Sequence, residues 1–280
     1  MEKSKFKKKI LIHVGPPKTG TTSLQHWLHN HENVDFFYLG IKPNRFDRKN
    51  ELVNLFYKHI KGKISIQDLI KKMDNATNLN TLLISEELLI HGDNWKDCIN
   101  SLAKLKEHYN VKIAYCYRNS IKTIPSIYAE SHSNLSEDLK QSFSKFINSK
   151  LVEAYKLDIV QKTFDDMKLD YNIFDFNELI KSELTINSIF NIDTDISVFK
   201  KKIKLPSENI TQKNKYFYNA KVKTPKQMIF EKKIRKISNK YFNKDLSKYF
   251  TRTYKIKIEP NQALEELSLN NQKIWKNING

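Results

Sequence analysis

Short runs of apolar residues recur through the first two thirds of the chain. They cover residues 9–14, 81–85, 112–117 and 171–176, and residues 36–39 form a shorter candidate. Apolar runs without polar alternation are typical of strands that are buried on both faces of a parallel sheet. The pattern therefore predicts a central parallel sheet of about four or five strands.

Segments of helical periodicity separate these runs, at residues 21–31, 66–73 and 95–108. The first segment places Leu24, Trp27, Leu28 and His31 at the i, i+3, i+4, i+7 spacing of one helix face. Strands that alternate with helices predict a three-layer α/β fold, with right-handed crossovers between parallel strands.

The pattern changes near residue 180, where strand signals become sparse and lysine-rich helical segments follow. We predict one domain over residues 1–280, with an α/β core at about 8–180 and a helical, basic part at about 181–280. Residues 221–257 hold 13 basic side chains against Glu231 and Asp245, a local net charge of 13 − 2 = +11. Such a segment is either a solvated helical face or a basic surface for an acceptor or an anionic membrane.

Composition narrows the classes of protein. Glycine and proline number 6 and 7 of 280 residues, which excludes collagen-like and low-complexity chains. Cys98 and Cys116 are the only cysteines, too few for a disulfide framework or a cysteine-based zinc site. No apolar stretch approaches the roughly 20 residues of a membrane span, and the run after the N-terminal lysines is too short for a signal peptide. We expect a cytoplasmic protein whose basic segment could contact the inner membrane face.

The strongest local signal is the loop Gly15-Pro16-Pro17-Lys18-Thr19-Gly20-Thr21-Thr22, between the first predicted strand and the first predicted helix. A glycine-bounded loop at a helix N-terminus binds phosphate, because backbone N–H groups converge there and the helix dipole favours negative charge. The net charge of the chain, +18, also favours anionic ligands.

The loop differs from the nucleoside-triphosphate motif G-x-x-x-x-G-K-[ST]. Gly15, Gly20 and Thr22 fit that spacing, but Thr21 stands at the lysine position. The basic residue is instead Lys18, inside the loop. The arrangement that binds a magnesium triphosphate is therefore not reproduced. A P-loop kinase or NTPase remains the alternative interpretation of this loop.

The string Pro17-Lys18-Thr19-Gly20-Thr21-Thr22-Ser23-Leu24-Gln25 resembles the 5′-phosphosulfate loop of sulfotransferases that use 3′-phosphoadenosine 5′-phosphosulfate (PAPS). Residues 12–25 are especially similar to bacterial members. The resemblance implies a P-loop-like sulfotransferase fold. It also implies that residues 17–23 bind the donor and that Lys18 neutralises the bridging and leaving phosphate oxygens.

A second site should bind the 3′-phosphate of that donor. Arg118 follows the run at 112–117, at the carboxyl edge of the predicted sheet, and Ser126 lies eight residues later. Sulfotransferases have an arginine and a serine at this spacing, so the resemblance implies that both bind the 3′-phosphate. A guanidinium meets a phosphate bidentately, which an ammonium does not. Lys213 and Lys215, in a late polar segment similar to a family loop, are further candidates for that phosphate.

The acceptor hydroxyl needs a general base within hydrogen-bond reach. Glu86 and Glu87 follow the run at 81–85, and His91 lies shortly after them. The strand predicted at 81–85 should end at the same sheet edge as Lys18. Adjacent residues such as Glu86 and Glu87 point in opposite directions. We prefer Glu86 to Glu87, with His91 third. The alternative is that the two acids only favour the first turn of the next helix.

The resemblance thus implies transfer of a sulfuryl group from PAPS to a hydroxyl, less readily an amine, of a carbohydrate or glycolipid, without a metal. Adenosine 3′,5′-bisphosphate (PAP) would be the product. The non-enzymatic alternative is a basic protein that binds nucleic acid or a membrane surface through residues 221–257. That alternative leaves the loop at 15–22 and Arg118 unexplained, so we expect no nucleic-acid partner.

Overall fold

The structure is a computed structural model that describes residues 7–32, 35–40, 53–204, 217–221, 224–242 and 246–279. A five-stranded parallel sheet lies at its centre and consists of β1 (Lys9–Val14), β2 (Phe37–Tyr38), β3 (Thr81–Ser85), β4 (Asn110–Tyr117) and β5 (Asp170–Asp175). The strands lie in the order β2–β3–β1–β4–β5. The predicted α/β class, with a parallel sheet between helices, is confirmed.

The central position of β1 determines where a ligand can bind. His13 of β1 pairs with Ser85 of β3 on one side and with Ala114 of β4 on the other. The carboxyl ends of these three strands therefore finish side by side. The connection from β1 leads to β2 on one side of the sheet, whereas the connection from β3 leads to β4 on the other side. The crevice at such a switch in direction is the usual ligand site of an open α/β sheet.

The described part of the chain contains twelve α-helices, some of which pack around the sheets while others come after them in the sequence. They are α1 (Thr21–His31), α2 (Val53–Ile60), α3 (Ile66–Ala76), α4 (Trp95–Ala103), α5 (Ser120–Ser131), α6 (Glu137–Gln141), α7 (Phe143–Ile147), α8 (Leu157–Asp166), α9 (Phe176–Ile180), α10 (Ile186–Phe190), α11 (Pro225–Phe242) and α12 (Gln262–Asn279). The segment predicted as one helix at 95–108 is divided into α4 and a 3-10 helix, Lys104–Glu107. Within the described ranges, no helix is both long and apolar enough to cross a bilayer.

The side chains of β1 alternate between two hydrophobic cores. Ile10 and Ile12 pack on the face covered by α3, α4 and α8, whereas Leu11 packs on the face covered by α1 and α10. Both faces of the sheet are thus buried, which explains why its strands are continuously apolar in sequence. A third core forms between α5, α7 and the C-terminal part of the chain.

The C-terminal part contains a second sheet that the sequence pattern did not predict. Its strands β6 (Phe217–Lys221) and β7 (Thr253–Lys257) are antiparallel, and Tyr218 pairs with Ile256. The side chains of β7 are largely exposed, so the strand lacks the apolar alternation that identifies a half-buried strand. The predicted helical character of this part is nevertheless confirmed by α11 and α12.

Helix α12 is joined to the α/β core through Asn271, which is completely buried. Its Nδ2 donates to Oγ of Ser120, 2.9 Å away, and to the backbone oxygen of Tyr155, 2.7 Å away. Its Oδ1 accepts a hydrogen bond of 2.9 Å from the backbone N–H of Leu157. One amide side chain therefore satisfies polar groups at the start of α5 and at the start of α8.

We predict that Asn271→Ala destabilises the protein, because the buried N–H of Leu157 loses its acceptor. Each buried polar group left unsatisfied costs about 1–3 kcal/mol, so we expect a loss of about 2–4 kcal/mol in the free energy of unfolding, measured in urea. The matched control is Asn270→Ala, which changes the exposed neighbouring asparagine of the same helix. Equal stability of the two variants would contradict the role given to Asn271.

Candidate functional site

The loop between β1 and α1 places a helix N-terminus at the sheet crevice. Gly20 has φ +78°, in the left-handed region, and α1 begins at the next residue. Gly20 supplies no side-chain cap and the first turn of α1 contains no acidic residue. The positive end of the helix dipole therefore has no negatively charged side chain of its own first turn beside it, which suits an anionic ligand.

Polar contacts hold this loop against β4 and the chain that follows α7. Thr19, which is 1% exposed, donates from Oγ1 to the backbone oxygen of Pro16 at 2.8 Å. The thiol of Cys116 lies 3.3 Å from the oxygen of Thr19, and the hydroxyl of Tyr155 lies 3.4 Å from the oxygen of Pro17. Burial raises the pKa of the Cys116 thiol, so this group stays protonated and able to donate.

Lys18 is exposed and adopts an unusual backbone conformation. Its φ is +77°, which is uncommon for a residue other than glycine. Its ammonium group forms an ion pair of 2.6 Å with Glu130 of α5, and both side chains remain over one third exposed. The structure thus places a cation above the loop and joins it to a carboxylate that the sequence analysis did not select.

Arg118 follows the last residue of β4 and contacts the loop directly. Its Nη1 donates to the backbone oxygen of Lys18, and its guanidinium carbon lies 4.3 Å from the ring centre of Phe176. Burial lowers the pKa of Arg118, but an arginine remains protonated in proteins. The two basic residues that the sequence analysis selected, a hundred positions apart, are therefore neighbours.

Phe176 limits the space on the other side of the loop. A Cβ atom built on Gly20 would overlap the Phe176 ring, so only glycine fits at this approach. The same ring lies beneath the guanidinium of Arg118. Phe176 therefore shapes both parts of the candidate site, although the sequence analysis treated it only as the last residue of a predicted strand.

The start of α5 is organised by its cap. Asn119 Oδ1 accepts from the backbone N–H of Ile121 at 2.9 Å, and the hydroxyl of Ser268 on α12 lies 3.3 Å from the same oxygen. Ser126 lies two turns further on, partly exposed, and Glu130 follows it by four residues. Residues four apart share a helix face, so Ser126 lies one turn from the carboxylate that binds Lys18.

The two candidate carboxylates after β3 have different environments. Glu86 is 1% exposed, and its backbone N–H donates to the oxygen of His13 at 3.0 Å. Glu87 begins a 3-10 helix, Glu87–Ile90, and is partly exposed. Burial makes Glu86 less accessible to a substrate than Glu87, which reverses our order of preference between them.

His91, Glu87 and Glu130 share one electrostatic environment. Burial lowers the pKa of His91, and Glu87 and Glu130 oppose that shift. Burial, then Tyr115, and then the same two carboxylates raise the pKa of the Tyr155 hydroxyl, which contacts the loop. Glu130, which pairs with the loop lysine, and Glu87 therefore both act electrostatically on His91, which follows β3.

His13 belongs to the core, as its place within the first strand predicted. It is completely buried, and its Nδ1 lies 2.8 Å from the hydroxyl of Ser85. Burial lowers the pKa of His13 to about 3, so its imidazole is neutral near pH 7. Its ring centre lies 5.6 Å from that of Phe174, which belongs to the core covered by α1 and α10.

The remaining residues that the sequence predicted to bind the donor PAPS differ in exposure. Thr21 is 1% exposed, and its hydroxyl has no hydrogen-bond partner among the described residues, whereas Thr22 is exposed and Ser23 partly exposed. Lys213 and Lys215 lie outside the described residues. In the ranges that the structure describes, no group of three His, Cys, Asp or Glu side chains could hold a metal ion.

The sequence analysis missed Glu130, Phe176 and Tyr155. Spacing offered a signal only for Glu130, which lies one helical turn after Ser126. No protein-family model matches the chain, and no curated protein sequence matches it. The geometry of the site and the resemblance of its motifs are therefore the basis on which a function can be proposed for this chain.

We predict that Gly20→Ala is more destabilising than Gly62→Ala. Both glycines have positive φ, but a Cβ on Gly62 meets no atom within 4 Å, whereas one on Gly20 meets Phe176. Backbone strain alone should cost about 1 kcal/mol at Gly62, and overpacking should raise the cost at Gly20 to about 2–4 kcal/mol. Urea unfolding of both variants measures the difference, and equal losses would show that Phe176 does not constrain the loop.

Proposed function

We propose that the protein is a sulfotransferase that uses PAPS as its donor. The observation that carries this proposal is the direct contact between Arg118 and the backbone of Lys18, beside the N-terminus of α1. This contact brings two cationic groups and a helix N-terminus to one crevice, as a donor with separate 5′ and 3′ phosphate groups requires. The resemblance of residues 17–25 to the donor loop supports the same assignment.

The donor would bind along the edge of the sheet. The N-terminus of α1, with Thr21 and Thr22, would hold the 5′-phosphate, and the buried Thr21 hydroxyl would gain a partner there. Arg118 would bind the 3′-phosphate, with Ser126 as a second donor. The ring of Phe176 restricts the guanidinium, so less side-chain entropy is lost when it binds.

The reaction would be an in-line displacement at sulfur. The acceptor oxygen forms a bond to sulfur while the bond between sulfur and the 5′-phosphate oxygen breaks, and PAP leaves with both electrons of that bond. Lys18 would stabilise the negative charge that develops on the leaving oxygen. The proton of the acceptor hydroxyl would pass to Glu87, near His91, and Glu86 is the second candidate for this base.

Glu130 would regulate the position of Lys18. The ammonium group is paired with Glu130 at 2.6 Å, so donor phosphate must compete with this carboxylate for it. Since the pair is over one third exposed, its strength is modest, about 1 kcal/mol or less. Glu130 therefore keeps the lysine above the loop without preventing donor binding.

A carbohydrate or glycolipid acceptor follows only from the family resemblance.

We predict that Arg118→Ala selectively removes recognition of the 3′-phosphate. The wild type should bind PAP more tightly than AMP in calorimetry. Loss of one charge-assisted contact costs about 1.5–3 kcal/mol, so PAP affinity should fall about 10- to 150-fold. AMP affinity should fall by less, because AMP would be affected only through the loop that Arg118 contacts at Lys18. Lys18→Ala should weaken both ligands, because Lys18 acts at the 5′ side that they share.

The control for this experiment is Arg235→Ala, which removes an arginine that is exposed on α11. It should leave PAP and AMP binding unchanged. Preference of the wild type for Mg·ATP over PAP would instead support the kinase or NTPase alternative. Absence of PAP binding by a folded wild-type protein would overturn the proposed function.

We predict that Glu130→Gln strengthens PAP binding, because Lys18 no longer has a competing carboxylate. The pair is worth about 1 kcal/mol at most, so the gain should be no more than about fivefold in Kd. The control is Glu137→Gln, which removes a highly exposed glutamate paired with Lys140. Weaker PAP binding in Glu130→Gln would show that the carboxylate supports the donor-binding position of Lys18 instead of competing for it.

A further inference from the structure

Helix α11 is attached to the protein through its polar side. The least exposed described side chains of α11 follow the i, i+4, i+7, i+11 spacing of one helix face and are Gln227, Glu231, Ile234 and Ser238. Gln227 Nε2 donates to the backbone oxygen of Phe250 at 2.9 Å and to Glu231 at 3.0 Å. Ser238, 3% exposed, accepts from the backbone N–H of Leu246 at 3.2 Å.

The opposite side of α11 is apolar and basic, and it faces outward. We define the α11 face as Ile229, Phe230, Lys233, Lys236 and Ile237, which fall at i, i+1, i+4, i+7 and i+8. Its three apolar side chains are 58%, 45% and 54% exposed. This orientation is the reverse of an ordinary surface helix, which turns its apolar side toward the core.

Neighbouring segments extend this surface. Phe250 packs edge-to-face against Phe230, with 6.0 Å between ring centres, and is 49% exposed, while Tyr249 is 73% exposed. Ten large hydrophobic residues are exposed in the described part of the chain, and seven of them lie within residues 228–254. Exposed apolar groups concentrated in one segment indicate an interaction surface, whereas single ones are ordinary.

We propose that the α11 face docks on an anionic lipid bilayer. Apolar side chains that alternate with lysines on one side of a helix are the pattern of an interfacial helix, whose apolar groups enter the bilayer while its cations meet lipid phosphates. The acidic residue of α11, Glu231, lies on the inner side, bonded to Gln227. The charge of the face therefore complements an anionic surface.

Two other occupants fit the face less well. A second copy of the chain would bring Lys233 and Lys236 against the same lysines, and like charges repel. Nucleic acid would pair with the lysines but would leave Ile229 and Ile237 without suitable partners, since bases stack on aromatic or guanidinium planes. Only the bilayer uses the apolar and the basic side chains together.

The docking surface is connected to the candidate site. Tyr254 of β7 donates or accepts a hydrogen bond of 2.7 Å with Nδ1 of His132, directly after α5, and β6 packs against α5. Helix α5 also carries Glu130 and Ser126. A protein docked through the α11 face would therefore hold its crevice at a defined orientation to the membrane. This docking does not depend on the proposed transferase function.

The test is co-sedimentation of the full chain with vesicles of two compositions. One is phosphatidylcholine alone and the other contains equal parts of phosphatidylcholine and phosphatidylglycerol. We expect binding to the second only. Replacing Lys233 and Lys236 with glutamine should weaken it by about fivefold for each lysine, and replacing Ile229, Phe230 and Ile237 with glutamine should weaken it at least about tenfold.

Matched controls are Lys71→Gln/Lys72→Gln, on the exposed side of α3, and Ile180→Gln/Leu269→Gln, which remove two exposed apolar side chains elsewhere. They should bind vesicles as the wild type does. All α11 variants should keep the wild-type circular dichroism. The lysine variant should also keep the melting temperature, because its changed side chains face solvent. The apolar variant also loses the contact between Phe230 and Phe250, so it is compared with the wild type at a temperature at which both are folded.

Three results would overturn the proposal. The first is equal vesicle binding by the wild type and both α11 variants. The second is binding of single-stranded DNA that only the lysine variant loses, which would identify a nucleic-acid surface. The third is a wild-type dimer in sedimentation that the apolar variant converts to a monomer while neither protein binds vesicles, which would identify a self-interface.

Discussion

The guanidinium of Arg118 holds the candidate site together. It donates to the backbone of Lys18 on one side and lies on the ring of Phe176 on the other, so it joins the ends of β1, β4 and β5. These contacts hold a loop in which Lys18 and Gly20 both have positive φ. A positive φ is strained at Lys18 and requires glycine at position 20. Both backbone conformations persist only where their surroundings hold them in place. Arg118 and Phe176 are those surroundings.

Much of this arrangement was predictable from the sequence because it depends on local signals. The strands β1 and β3 have the predicted bounds, since a strand buried on both faces is a continuous apolar run with polar residues at its ends. The position of the loop between β1 and α1 follows from glycines placed between an apolar run and a segment of helical periodicity. The place of Arg118 follows because parallel strands end at a common edge.

The parts that sequence reasoning missed depend on contacts between distant segments. Glu130 meets Lys18 across more than a hundred residues, and no spacing rule predicts an ion pair of that separation. The choice between Glu86 and Glu87 depends on which side chain the end of β3 buries. Strand β7 was not predicted because its side chains are exposed and show no apolar alternation. The sequence also did not show that the apolar side of α11 points to solvent, because periodicity defines a helix face but not the direction in which that face points.

The three hydrogen bonds of Asn271 have a consequence for the order of assembly. The start of α5, next to Arg118, and the start of α8 receive their buried polar partner from a helix made of residues 262–279. During synthesis the loop at 15–22 leaves the ribosome well before α12, which lies far later in the sequence. The start of α5 beside the crevice can therefore reach its final geometry only after α12 has been made.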